Sequence, residues 1–106
     1  MLSQWKTICY AGAGYLYDKN GQYDNQNLTI AIRQGTMIMN WFSTRHGLAE
    51  KAITFRMNTE VNCSTGHYIV QIEVRNDRRF RGSGWTVEQL RKWYYDDKTQ
   101  KEIFGS

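Results

Sequence analysis

The chain has 106 residues, of which 41% are hydrophobic and 23% charged, a balance that suits a globular fold and excludes a disordered one. That length gives room for one domain, residues 1–106. No apolar run approaches the ~18 residues of a membrane span, and no charged–apolar–small leader is visible. The net charge is +4, and it is localised. Residues 75–92 hold Arg75, Arg78, Arg79, Arg81, Arg91 and Lys92 against Asp77 and Glu88, an excess equal to that of the whole chain. Aromatics reach 14% and proline is absent, so turns fall to Gly, Asn and Asp.

In chain order, Gln4–Tyr10 reads as a first strand, with Trp5, Thr7 and Cys9 on one face and Ile8 and Tyr10 on the other. Ala11–Gly14 (Ala-Gly-Ala-Gly) reads as a flexible turn. Asn20-Gly21 between aromatic flanks predicts a hairpin with a type I′ turn. Leu28, Ile30 and Ile32 alternate with Thr29, Ala31 and Arg33, which predicts a strand that Gly35 ends. Thr36–Phe42 follows as a further strand, and at a sheet edge it would invite self-pairing. Ser43–Glu50 reads as a loop or one helical turn.

The cleanest alternation spans Lys51–Val61. Ile53, Phe55, Met57 and Val61 face one way; Thr54, Arg56, Asn58 and Glu60 face the other. His67–Arg75 repeats it, with Tyr68, Val70, Ile72 and Val74 opposite His67, Gln71, Glu73 and Arg75. The polar turn Asn62–Gly66 joins the two as an antiparallel hairpin with one face on the core. A helix is expected near 86–97. Thr86 and Gln89 form a capping box, Trp85 and Leu90 a hydrophobic staple, and Val87, Leu90 and Tyr94 an apolar stripe. Asp96 and Asp97 stand where the helix dipole disfavours acid and so mark its end. Of Tyr94 and Tyr95, one must face solvent. Lys98–Ser106 reads as frayed, with Ile103 and Phe104 able to dock back. The expected fold is α+β, mostly antiparallel β, with about five to seven short strands in a meander, half-barrel or small sandwich and one C-terminal helix.

Chemical signals are sparse. His46 and His67 could serve as general acid and base of a small ribonuclease, with arginines holding the phosphate, but their spacing carries no motif. Arg75, Arg78, Arg79, Arg81, Arg91 and Lys92, interleaved with Phe80 and Trp85, could meet an acidic partner or stack nucleobases. Gly12–Gly14 and Gly82–Gly84 lack the lysine of a phosphate loop. Cys9 and Cys63 are too few and too far apart for a metal site, and either a disulfide or two free thiols is open. Neither metal nor cofactor is expected.

One resemblance attaches to short motifs over residues 4–75. Trp5-x-x-Ile8, Tyr15-x-Tyr17-Asp18, a strand at Leu28–Arg33, and Ile53–Glu60 closing in Asn62-Cys63 resemble bacterial surface-adhesin E domains. The resemblance implies a small exported β-rich envelope protein with one helix; without it the chain is expected in the cytoplasm. That family has a terminal cysteine to pair with the one at position 63, and this chain ends Ile103-Phe104-Gly105-Ser106. Together the residues favour a non-enzymatic recognition module of inhibitor, immunity or adhesin type. It would bind another protein through an aromatic-rich sheet face or the Arg75–Lys92 end. The rival reading is an RNA-binding protein or small ribonuclease.

Overall fold

The computed structural model describes residues 4–105. Its elements run β1 (Gln4–Tyr15), α1 (Gln26–Thr44), α2 (His46–Ala49), β2 (Phe55–Asn62), β3 (His67–Asn76), α3 (Arg78–Arg81), α4 (Val87–Tyr95) and α5 (Asp97–Phe104). The three strands form one antiparallel sheet in the order β1-β3-β2. Among the described residues the fold is therefore α+β with three strands and five helices, not five to seven strands with one terminal helix. β1 and β2 flank β3, so α1 is the crossover of a split β-α-β unit. The molecule is flat, 50 × 40 × 18 Å, the thinnest dimension being that of one helix layer on one sheet.

The β2–β3 hairpin forms as its alternation requires, with an unbroken register from Phe55↔Val74 to Asn62↔His67. Asn62 holds the turn, its Oδ1 accepting from the Ser64 and Thr65 amides at 3.0 and 3.2 Å. Tyr68, Val70, Ile72 and Val74 are all buried toward the helices.

The two strands expected at Leu28–Arg33 and Thr36–Phe42 are a single helix, α1. Its buried residues are Ala31, Gly35, Ile38, Trp41 and Phe42, one stripe at helical spacing. Ile30 and Ile32, which carry the apparent alternation, lie outside that stripe and are 41% and 36% exposed. Gly35 does not end a strand; it lets the helix touch the sheet. A Cβ there would fall 2.6 Å from Met57 Sδ and 3.2 Å from Val70 Cγ1. Gly12 does the same from β1, where a Cβ would meet that of Ala31 at 2.5 Å. A side chain of any size at either position would push the two layers apart, which close-packed interiors resist.

β1 also differs from its reading. Ala11–Gly14 is strand, not turn, and the register against β3 shifts between Thr7 and Cys9 and again between Tyr10 and Gly12. Each shift inserts one extra residue, a β-bulge. The first turns both Ile8 and Cys9 into the core. Strict alternation would have put them on opposite faces. Burial pushes the Cys9 thiol up to about 12. Burial first, and then the nearby Cys9, push the Tyr94 phenol up to about 12. Cys63 lies exposed beyond β2, and both thiols are free.

The expected hairpin turn is built differently. Only Gly21 has positive φ, so the turn is not type I′. Gly21 N–H donates to the Asp18 carbonyl at 2.9 Å, and Asp18 Oδ1 accepts from the Asn20 and Gln22 amides at 2.8 and 2.9 Å. An Asp-led turn closed by glycine needs the left-handed region once rather than twice.

At the C-terminal end, α4 begins with the expected capping box of Thr86 and Gln89 and stops at Tyr95. Asp96 then caps a second helix, α5, by accepting from the Lys98 amide. Residues 98–104, read as frayed, are thus helical, with Ile103 buried and Phe104 partly exposed. The acids that argue against continuing one helix are suited to starting the next. Tyr94 is buried and Tyr95 exposed. Phe42 centres the aromatic core, with ring centroids of Trp41, Phe55, Trp93 and Tyr94 at 5.0, 5.5, 6.0 and 6.4 Å. Among the described residues, no helix is long and apolar enough to cross a membrane.

Candidate functional site

The core residues of α1, α4 and α5 pack with the helix-side residues of the strands. The other side of the sheet is uncovered among the described residues. The registers place Trp5, Thr7, Tyr10, Ala13 and Tyr15 of β1 on that side. The same rule adds His67, Ile69, Gln71, Glu73 and Arg75 from β3, and Arg56, Asn58 and Glu60 from β2.

This open face is ordered along its length. At one end the Arg56 guanidinium lies 4.2 Å from the Trp5 ring centroid, and its Nε donates to the buried Glu73 Oε1 at 2.8 Å. Beside them the Thr7 hydroxyl donates to Gln71 Oε1 at 2.9 Å. Tyr10 stands in the middle, 56% exposed. At the far end Tyr15, 65% exposed, packs against His67 with ring centroids 4.4 Å apart. Around the hairpin turn a shallow concavity of about 700 Å³, lined by Glu60, Asn62, Cys63, Thr65, His67 and Ile69, extends the face. The formal charges balance: Arg56 and Arg75 against Glu60 and Glu73.

Of the sequence-predicted basic set, Arg75 closes β3 on this face. With Asp77, Arg78 and Arg79 it lines a hollow of about 310 Å³. Arg78 and Arg79 are exposed. Arg81 is exposed too, but its Nη1 donates to the Asn76 carbonyl at 2.9 Å. Asp77 caps α3 through the Phe80 amide at 3.0 Å. Phe80 itself is buried in the core, so its ring is out of reach of a visitor. Trp85 does not stand free: it is half-buried and stacks on Trp93 at 5.1 Å and 10°. Arg91 is tied to β1, its Nε and Nη2 donating to the Thr7 carbonyl at 3.2 and 2.8 Å. Lys92 is exposed on α4.

The two histidines are not brought together. His46 lies on α2, where its Nδ1 is 2.8 Å from Glu50 Oε1. The Ile53 amide donates to the Leu48 carbonyl, which anchors α2 at the Phe55 end of β2. His67 pairs with Asn62 at the opposite end, on the open face. About 25 Å of strand separates those ends at ~3.3 Å per residue. Among the described residues, no group of three or more His, Cys, Asp or Glu is placed to hold a metal ion.

The polar alternation of β3 signals the open face; the sequence expectation of an aromatic-rich sheet face named no residues, and it set Trp5 and Tyr10 on opposite faces. Strict alternation from Trp5 reaches Tyr15 but not Tyr10: placing Tyr10 on the open face takes the first bulge, the second then restores the original phase, and no residue pattern announces either. The chain matches no protein-family model. It matches no curated protein and no solved structure either. The segment that the adhesin resemblance takes as a strand, Leu28–Arg33, lies in α1.

Proposed function

We propose that the chain is a non-enzymatic recognition module that binds another protein through the open face of its sheet, with Arg75, Arg78 and Arg79 as a cationic rim at one end. The observation that carries this reading is the makeup of the uncovered face. Trp5, Tyr10 and Tyr15 present rings along one strand, and the charges around them cancel. Tyr, Trp and Arg dominate the energetics of protein interfaces, and tyrosine supplies contact area at little conformational cost. A surface made to follow a phosphate backbone would carry a net positive charge along its length. Here the exposed cations Arg78 and Arg79 stand at the α3 corner instead, beside Arg75, whose Nε lies 4.0 Å from Asp77 Oδ2. Inhibitor, immunity-type and adhesin-like proteins all work by such binding.

The test is partner capture by variants that leave the core intact. Tyr10→Ala with Tyr15→Ala is expected to lower affinity about tenfold or more, at ~1 kcal/mol or above per truncated anchor. Reversal of the exposed Arg78 and Arg79 to Glu is expected to weaken it further, with the melting temperature unchanged. Capture of RNA that falls steeply with salt, and that survives loss of the tyrosines, would replace this reading with the RNA-binding one.

A further inference from the structure

The two edges of the sheet are built differently. β1, at one edge, is interrupted by two bulges, and Arg91 occupies its Thr7 carbonyl. These are devices by which proteins keep an edge strand from pairing. β2, at the other edge, has neither a bulge nor a capped carbonyl among the described residues, and its charges, Arg56 and Glu60, are of opposite sign. It runs Phe55–Asn62 in unbroken register, without bulge or proline, and among the described residues no strand pairs with its outer side.

We infer that β2 pairs with β2 of a second copy of this chain, antiparallel about a two-fold axis at Asn58, to make a continuous six-stranded sheet. The sequence of the strand is self-complementary in that register. Arg56 stands opposite Glu60 of the second copy, and Glu60 opposite Arg56, on the open side. On the helix side Phe55 meets Val61 and Met57 meets Thr59. Residues directly opposite in an antiparallel pair share a face, so the two Arg56–Glu60 pairs and the two Phe55–Val61 pairs form at once. Val61 is 44% exposed in the single chain, and this pairing covers it. A two-fold interface must complement itself, and a strand whose opposite charges are symmetric about its middle residue does so. The assembly leaves the open faces of both copies uncovered and side by side. It is independent of what those faces bind.

Sedimentation and disulfide trapping test the register. The purified chain is expected to sediment with twice the 12.5 kDa mass of one copy. In a Cys63→Ser background, Asn58→Cys places two thiols across the axis, at the ~4.5–5.5 Å Cα spacing of opposed residues, within disulfide reach. Oxidation is expected to link the two copies in high yield. Val61→Cys, six residues out of register with its own symmetry mate, is expected not to link. Glu60→Arg sets like charges opposite each other and is expected to weaken association about tenfold or more. A monomer at millimolar concentration overturns the inference. So does a dimer that is linked equally through positions 58 and 61, or is indifferent to Glu60→Arg, since it would use another surface.

Discussion

The two sides of β3 make the sharpest contrast in the molecule. Tyr68, Val70, Ile72 and Val74 are closed off beneath helices. His67, Ile69, Gln71, Glu73 and Arg75, interleaved with them, share the uncovered side with Trp5, Tyr10 and Tyr15. The first side makes the fold and should tolerate little change. The second is held in place by the first but contributes little to it, so its side chains are free to be chosen for something else.

The largest expected effect breaks this contrast from the covered side. Leu90 is fully buried against the sheet, and Leu90→Ala is expected to cost about 2–5 kcal/mol in a denaturant titration. The double variant Tyr10→Ala/Tyr15→Ala, on the uncovered side, is expected to stay within about 1 kcal/mol of the parent. Similar losses from both variants would mean that the open face is structural.

Next come the two glycines that let α1 lie against the sheet. A Cβ at Gly12 meets the short, backbone-anchored Cβ of Ala31, so Gly12→Ala is expected to cost about 1–3 kcal/mol. At Gly35 the nearest atom is the flexible end of Met57, and alanine gains about 1 kcal/mol of helix propensity. Gly35→Ala should therefore cost clearly less. The reverse order would place the tight contact elsewhere.

A subtler effect concerns pH. Cys9 and Tyr94 both titrate higher when folded than their ordinary 9.0 and 10.0, so above those values the folded state holds protons that the unfolded state has released. Stability should be flat below about pH 9 and fall as pH rises toward 12. Cys9→Val should flatten the early part of that fall. At pH 8 a thiol reagent should modify the exposed Cys63 and spare Cys9 until the chain unfolds. Equal labelling would contradict the burial.

How much of this was legible in the sequence follows from which forces act locally. The β2–β3 hairpin and the cap of α4 were readable because alternation, turn and capping residues sit within a few positions of one another. α1 was not. Its outward Ile30 and Ile32 imitate a strand, and its inward stripe includes Ala31 and Gly35, residues that carry no hydrophobic signal and matter only because the sheet lies so near. The bulges of β1 hide for the same reason, since they are set by pairing with β3, more than fifty residues away in sequence. The basic segment was legible as charge but not as geometry. Of its members Phe80 is in the core and Arg91 is spent on the Thr7 carbonyl, while Arg78 and Arg79 remain free in solvent.

Site-specific photo-crosslinking tests the central claim, that one side of this sheet is a binding surface for protein. A benzophenone side chain replaces Tyr10 on the open face or Arg33 on the outer side of α1, and adducts are collected in cells that express the chain. The account predicts a discrete protein adduct from position 10 and none from position 33. Adducts from position 33 alone, or adducts from position 10 that ribonuclease removes, would contradict it.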